Sequence, residues 1–163
     1  MARVLIVGCG CRGQALARAL RERGHAVRGT TRHPQRRAAI AAAGAEPWIG
    51  DPDRIATLTD ALDGVTVVCW LLGAARGSPA QLDALHGPRL RMLIARSIDT
   101  TVRGLLYEAA GGAGAARLAA GAATVREACG RSEIPHVLLA ADPDDREAWL
   151  AAALDGIERL LAG

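Results

Sequence analysis

Arg3-Val4-Leu5-Ile6-Val7-Gly8-Cys9-Gly10-Cys11-Arg12-Gly13 is an aliphatic run followed by three closely spaced glycines. The run is apolar and mostly β-branched up to Gly8, which predicts a strand buried on both faces of a parallel sheet. Residues 14–23 then place apolar side chains on one helical face and arginines mostly on the other. This spacing predicts an amphipathic helix that stops at Gly24. The glycines therefore lie between a strand and a helix.

Each glycine has a physical task at this junction. Gly8 permits a tight turn, Gly10 lets the backbone approach a pyrophosphate with no Cβ in the way, and Gly13 lets the helix pack close to the sheet. The unpaired N–H groups and the positive dipole end of the helix then receive the phosphates, with Cys11 and Arg12 inside the same turn. In this strand-to-helix context the pattern predicts dinucleotide binding.

Strand and helix patterns alternate along the rest of the chain. Further strands are predicted at 25–31, 45–49, 65–72, 104–109 and 136–140, and further helices at 34–43, 53–62, 89–97, 115–131 and 144–161. Right-handed crossovers between parallel strands place such helices on both faces of a sheet. The sequence therefore predicts one α/β domain over residues 1–163, a doubly wound parallel sheet of the Rossmann type with about six strands.

Composition narrows the class of protein. The chain has 163 residues, half of them apolar, with 3 Trp, 1 Tyr and no Phe, so we expect one core built from small aliphatic side chains. All 20 basic residues are Arg, the formal net charge is +3, and the arginines are interspersed with Asp and Glu. Because nucleic-acid binding normally needs a clustered basic face, the composition argues against it.

Location and metal content are also constrained. No apolar run reaches about 18 residues, the minimum for a membrane helix, so no membrane partner is expected. The four cysteines lack the paired CxxC spacing of zinc sites, and no His has a partner one helical turn away. We expect a cytoplasmic protein with reduced thiols and no metal.

Two interpretations are open for Cys9 and Cys11, which lie beside the helix N-terminus. They are small side chains that the turn tolerates, or one of them is a redox-sensing thiolate.

The residues after the second predicted strand bear on the choice of cofactor. Gly29-Thr30-Thr31-Arg32-His33-Pro34 has no carboxylate where an NAD-selective domain usually places Asp or Glu for the ribose 2'-hydroxyl. Arg32 could instead hold a 2'-phosphate through paired hydrogen bonds, and Thr31 could donate its hydroxyl. We therefore predict NADP as the cofactor in preference to NAD. The alternative is a solvated arginine face at the start of a helix.

Several motifs resemble the atypical short-chain dehydrogenase/reductase group, including its NmrA-like and epimerase-like NAD(P)-binding members. They are the glycine turn, Thr31-Arg32-His33-Pro34, residues 43–51 and residues 130–138, so the likeness covers nearly the whole chain. The resemblance implies that the carboxylate of Asp51 lies by the adenine. It also implies that the fourth strand, which ends at Leu72 and Gly73, passes under the ribose next to the nicotinamide.

The same resemblance reveals a departure in the catalytic machinery. Family enzymes commonly use a Tyr-x-x-x-Lys helix, in which Tyr passes a proton to the carbonyl oxygen and Lys lowers the pKa of that Tyr. This chain has no Lys, and its only Tyr lies in the fifth predicted strand, so that relay cannot operate. Tyr107, Glu108 and His86 are candidate substitutes, although Tyr107 is more simply a packed strand residue. The catalytic residues are left unassigned.

Two classes of function follow from these observations. The first is an NADP-dependent oxidoreductase or epimerase-like enzyme without the Tyr-Lys relay, acting on a small-molecule substrate. The second is a non-catalytic NADP(H) sensor or regulatory module that changes its contacts with a partner.

The last predicted helix carries a wide apolar surface. Its apolar positions recur at helical spacing and comprise Trp149, Leu150, Ala153, Leu154, Ile157, Leu160 and Leu161. A single buried stripe needs fewer residues, which predicts a symmetric homodimer formed through this helix. The alternative is that all of these residues pack on their own sheet.

Overall fold

The computed structural model describes all residues from Met1 to Gly163. The strands are β1 (Arg3–Val7), β2 (Ala26–Thr31), β3 (Glu46–Ile49), β4 (Val67–Trp70), β5 (Gly104–Glu108) and β6 (His136–Leu139). The helices are α1 (Cys11–Glu22), α2 (Arg37–Ala42), α3 (Pro79–Leu85), α4 (Pro88–Ser97), α5 (Ala115–Arg131) and α6 (Arg146–Ala162). All strand pairs are parallel, in the spatial order β3-β2-β1-β4-β5-β6. The predicted doubly wound sheet is confirmed.

Two apolar layers cover the two faces of the sheet. Side chains of a strand alternate between faces, so Leu5 and Val7 of β1 belong to one layer while Val4 and Ile6 belong to the other. The first layer packs under α3, α4 and α5, and the second under α1, α2 and α6. Because both faces are buried, the central strands are apolar at nearly every position.

Two segments differ from the helices predicted from the sequence. Residues 53–62, predicted as one helix, form two short 3-10 turns at Ile55–Leu58 and Asp60–Leu62. The predicted loop after β4 contains the additional helix α3. Its start has a capping box, in which Ser78 accepts from the N–H of Gln81 while the Gln81 side chain accepts from the N–H of Ser78. Pro79 occupies the first helical position, where its missing N–H costs nothing.

The last helix covers its own sheet. The seven apolar positions that suggested a homodimer are buried or half-buried, and all of them pack in the layer beneath α1 and α6 of the same chain. The apolar residues that led to the homodimer prediction are therefore covered within one protomer. The homodimer stays a prediction, but these residues no longer support it. None of the helices combines the length and the apolar character needed to cross a bilayer.

Candidate cofactor site

A cavity of about 450 Å³ lies along the carboxyl-terminal edge of the sheet. Its wall is built from the segments that follow five strands: residues 8–13 after β1, 30–33 and 36 around the end of β2, 50–53 after β3, 71–76 after β4 apart from residue 73, and 143, 144 and 146 after β6. Gln81 and Leu85 of α3 complete it. The order in which strands are added to the sheet reverses between β1 and β4, and this is the switch point where doubly wound sheets bind ligands.

The glycine turn has little room for side chains at two of its three positions. Gly8 has φ of 85°, and a Cβ there would lie 2.6 Å from the carbonyl oxygen of Leu71. A Cβ on Gly13 would lie 3.2 Å from Cγ2 of Ile6, so its absence brings α1 close to β1. A Cβ on Gly10 would meet nothing within 4 Å. The backbone at Gly10 is therefore open toward the cavity.

Free backbone donors line the floor of the cavity. The first N–H of α1 that meets a backbone acceptor belongs to Gln14, which donates to the carbonyl of Gly10 at 2.8 Å. The N–H groups of Cys11, Arg12 and Gly13 have no acceptor in the chain, because a helix leaves the donors of its first turn unpaired. Together with the helix dipole, these donors form a site suited to an anion such as a phosphate.

The wall beyond β2 is basic. Arg32 and Arg36 line the cavity, are exposed, and pair with no carboxylate of the chain. Thr31 lines it as well, but its hydroxyl accepts from the N–H of His33 at 3.1 Å. That hydroxyl therefore shapes the turn that presents Arg32.

Asp51 is the acidic group next to this basic wall. The N–H of Gly50 donates to the carbonyl of Thr31 at 3.0 Å, which brings the end of β3 alongside the end of β2. Oδ1 of Asp51 accepts from the N–H of Asp53 at 2.9 Å, and its backbone N–H donates to the hydroxyl of Thr57 at 2.8 Å. One carboxylate oxygen is left without a partner in the chain.

Of the two residues predicted after β4, only one reaches the wall. Leu72 lines the cavity, whereas Gly73 does not. The N–H of Gly73 donates to Oε1 of Glu108 at 2.8 Å, and its carbonyl accepts from the N–H of Ala113 at 2.9 Å. Both backbone groups of Gly73 therefore face the end of β5 and the loop that follows. All other residues predicted to bind the cofactor lie on the cavity wall.

Glu108 links four segments around the cavity. Its carboxylate is fully buried, and Oε2 accepts from Nη2 of Arg12 at 2.9 Å and from Nε1 of Trp149 at 3.0 Å. The Arg12 guanidinium lies over the Trp149 ring, 5.5 Å from its centroid. With the N–H of Gly73, three donors occupy this carboxylate. Glu108 does not line the cavity, so the structure gives it no direct contact with a ligand there.

The other two candidate proton donors form a buried pair. Tyr107 and His86 are 0% and 2% exposed, and the Tyr107 hydroxyl lies 2.7 Å from Nδ1 of His86. Nε2 of His86 lies 3.1 Å from the carbonyl oxygen of Leu72. Since a carbonyl only accepts, Nε2 carries the proton and Nδ1 accepts from the tyrosine. Burial lowers the pKa of His86 and raises that of Tyr107. The pair joins α3 to the ends of β4 and β5 and does not line the cavity.

The two cysteines of the glycine turn have different environments. Cys9 is 3% exposed, and burial raises the pKa of its thiol to about 12, which disfavours a reactive thiolate at this position. Cys11 is exposed at the first position of α1 and lines the cavity. It is the only exposed cysteine of the chain.

Sequence reasoning did not find several residues of the wall. Thr30 supports the glycine turn, since its hydroxyl accepts from the N–H of Gly8 at 3.2 Å. Arg76, Gln81 and Arg146 reach the cavity from the loop after β4, from α3 and from α6. The capping pair around Gln81 was a readable helix signal. No local pattern marks Arg76 or Arg146, because only the folded sheet brings their segments to one edge.

A parallel sheet with a glycine turn and free helix N–H groups at its switch point defines a dinucleotide-binding Rossmann domain. The chain belongs to the NAD(P)H-binding family whose model matches residues 8–153. The resemblance to atypical short-chain dehydrogenase/reductase proteins is thereby confirmed at the level of an NAD(P)-binding domain. No curated protein matches the sequence.

Solved structures share the fold. A short-chain dehydrogenase/reductase superfamily protein from Agrobacterium tumefaciens with bound NAD has a TM-score of 0.67 and 23% identity, over 83% of this chain and 48% of its own. UDP-glucose 4-epimerase from Thermotoga maritima has a TM-score of 0.71 and 12% identity, over 83% of this chain and 54% of its own. A protein from Bacillus halodurans with a proposed NAD-dependent epimerase/dehydratase assignment has a TM-score of 0.71 and 14% identity, over 85% of this chain and 69% of its own. The chain spans about half the length of the first two.

Proposed function

We propose that this protein binds NADP(H) with the diphosphate on the first turn of α1 and the 2'-phosphate against Arg32. The free N–H groups of Cys11, Arg12 and Gly13 at the switch point of the sheet carry the proposal. Gly8 and Leu72 complete the wall on the β4 side of the turn. The cytoplasm, where the unpaired cysteines would stay reduced, is the proposed location.

The preference for NADP rests on charge. Arg32 and Arg36 line the cavity without carboxylate partners, so both guanidinium groups are free to meet a phosphate. In the proposed complex, the carboxylate of Asp51 takes a position near the adenine, and Leu72 lies under the ribose next to the nicotinamide. Gly73 supports this segment from behind through its hydrogen bond to Glu108.

Cys11 offers a direct test of cofactor binding. Iodoacetamide, a small neutral reagent, should alkylate one thiol per folded chain, because the other three cysteines are buried. Saturating NADPH should slow the alkylation of Cys11, as measured by mass spectrometry over time. Cys11→Ser is the control, and its folded form should not react. If NADPH leaves the rate at Cys11 unchanged, the proposed placement of the diphosphate is wrong.

For the reaction, we propose an NADP-dependent oxidoreductase or epimerase-like activity in which the cofactor and a bound acceptor exchange hydride. Hydride transfer requires the cofactor and a positioned acceptor, and the protein supplies the binding and the orientation. The proton for a reduced carbonyl would come from solvent in the open cavity.

One observation favours a second candidate, a non-catalytic NADP(H) sensor. Tyr107, His86 and Glu108 are all buried behind the cavity wall, so none is available as a proton donor to a bound ligand. Turnover of NADPH against a panel of carbonyl, quinone and flavin acceptors separates the two candidates. Oxidation of NADPH with any acceptor supports the enzyme. Tight NADPH binding without turnover on the whole panel supports the sensor.

A further inference from the structure

The end of the cavity on the side of β4 and β6, opposite β2 in the strand order, is also basic. Arg12, Arg76 and Arg146 line it, from the glycine turn, the loop after β4 and the start of α6. We propose that this end binds the oxyanion group, carboxylate or phosphate, of the small molecule that meets the nicotinamide. This inference rests on the proposed NADP(H) site, because it takes the β2 side of the cavity as the adenosine side.

The strand order separates the two basic ends. Arg32 follows β2, the glycine turn follows β1, and β4 and β5 lie on the other side of that turn. The Arg12 guanidinium reaches away from β2, since its contacts are Glu108 on β5 and Trp149 on α6. A dinucleotide that extends from β2 across the glycine turn would therefore bring its nicotinamide toward these arginines.

Arg12 is held in place and still has donors to offer. Glu108 takes one N–H of its Nη2, the Trp149 ring supports one face of the guanidinium, and Nε is buried without a partner. The side chain is 26% exposed on the cavity wall, which leaves part of the guanidinium accessible to a ligand. A guanidinium fixed in this way loses little conformational freedom on binding an oxyanion in a paired geometry.

The position of Arg146 is not explained by folding. It is the first residue of α6, where a positive charge opposes the helix dipole and weakens the helix slightly. It pairs with no carboxylate, although Asp144 lies on the same stretch of wall. The neighbouring Asp142 and Asp145 accept from the N–H groups of Asp144 and Ala148, at 2.9 and 3.1 Å.

Arg76 adds a third charge from another segment of the wall. It is exposed in the loop between β4 and α3 and has no carboxylate partner. Because Glu108 already neutralises Arg12, the local balance is Arg76 and Arg146 against Asp144. The side chains that line this end therefore carry one net positive charge before a ligand enters, while Asp142, Asp145 and Glu147 flank Arg146 in the chain without lining the cavity.

Matched fluorinated probes test the inference. The probes are 4-(trifluoromethyl)benzoate, 4-(trifluoromethyl)phenylphosphonate and the neutral 4-(trifluoromethyl)benzamide, with binding followed by fluorine NMR line broadening. Each is titrated into the protein with and without saturating NADPH, and NADPH binding is measured on the same samples. We expect at least one anionic probe to bind in the presence of NADPH and the benzamide to fail. Comparison of the two anions shows which oxyanion is preferred.

Variants locate the binding site. Arg146→Gln should weaken the binding of the anionic probe about tenfold, which is the effect of one charge-assisted hydrogen bond. Arg76→Gln should also weaken this binding. The double variant Arg12→Gln/Glu108→Gln removes the Arg12 charge without leaving a buried carboxylate unpaired, and should also weaken the probe. Arg18→Gln is the control, since Arg18 is exposed on α1 away from the cavity and makes no ion pair.

Four results would overturn the inference: equal binding of benzamide and anions, no binding of either anion, displacement of the anion by NADPH, or an effect of Arg146→Gln no larger than that of Arg18→Gln. In all four cases NADPH binding itself can persist, which leaves the proposed function intact. Failure of NADPH to bind overturns the proposed function instead. The titrations without nucleotide then still decide whether these arginines hold an anion.

Discussion

Single residues determine how the cavity recognises charge. Gly8 and Gly13 give the turn its shape, and Gly10 leaves open space where a side chain would stand. These three glycines and Arg32 were readable from the sequence, because each has a local signature next to a strand end. Arg76 and Arg146 were not readable, since their role depends on loops that are distant in the chain and adjacent only at the sheet edge.

The preference for NADP is predicted to depend on one residue. NADPH should bind at least tenfold more tightly than NADH, a difference of about 1.4 kcal/mol that one charge-assisted contact can provide. Arg32→Ala should remove most of this preference and leave the affinity for NADH nearly unchanged, as measured by nucleotide fluorescence titration. Arg37→Ala, on α2 and off the cavity wall, is the matched control. Equal affinities of the unmutated protein for NADPH and NADH would refute the assignment of Arg32.

At the scale of elements, the βα alternation was predictable and the region between β4 and α4 was not. Hydrophobic runs marked the strands, with a glycine directly after the runs of β1 and β4, and both faces of the sheet are buried as such runs require. Helix α3 was hidden because its seven residues carry only a short apolar pattern. Its signal was the capping box formed by Ser78 and Gln81. Residues 53–62 have a helical apolar pattern, yet tertiary packing holds them in 3-10 turns.

The anchoring of α3 should make stability depend on pH. Burial lowers the pKa of His86, with a further contribution from Arg117, while the hydrogen bond to Leu72 and the charge of Asp83 act the other way. The unfolded chain therefore takes up a proton at His86 at higher pH than the folded chain does. This contribution to stability is complete above pH 6.5, the ordinary pKa of His, and decreases as the pH falls from 6.5 toward the lowered value.

Urea unfolding at a series of pH values between 7 and 5 measures this dependence. His86→Gln should flatten the dependence of the unfolding free energy on pH, because it removes the imidazole ring. The charged form of that ring is unfavourable in its buried position. His136→Gln, at the start of β6, is the control for the removal of a histidine elsewhere in the sheet. An identical pH dependence in the His86→Gln variant would show that other groups are responsible.

At the scale of the whole molecule, the apolar faces of the helices are covered within a single chain. The residues of α6 that suggested a dimer pack on the sheet of the same chain. The large apolar side chains that remain exposed are Met1, Ile49, Met92 and Ile98, which lie on separate elements or loops. Scattered exposed apolar residues of this kind are usual on a monomer surface.

Light scattering on the purified chain decides the oligomeric state. If α6 only covers its own sheet, the molar mass should equal that of one chain, 16.9 kDa, at the concentrations used for cofactor binding. A mass of twice that value would support the homodimer predicted from the sequence. In that event, Leu150→Glu and Leu161→Glu, at the half-buried positions of α6, would test whether this helix forms the interface.

The central claim is that the first turn of α1 holds the diphosphate of NADP(H), and Gly10→Asp tests it most directly. A Cβ at position 10 meets nothing within 4 Å, so the variant should fold normally while its carboxylate occupies the phosphate position. Gly130→Asp is the control, because a Cβ there also meets nothing within 4 Å and the residue does not line the cavity. In calorimetric titration with NADPH, we expect one saturable site per chain in the unmutated and Gly130→Asp proteins and loss of that site in Gly10→Asp. Unchanged NADPH binding by a folded Gly10→Asp protein, or no binding by the unmutated chain, would contradict it.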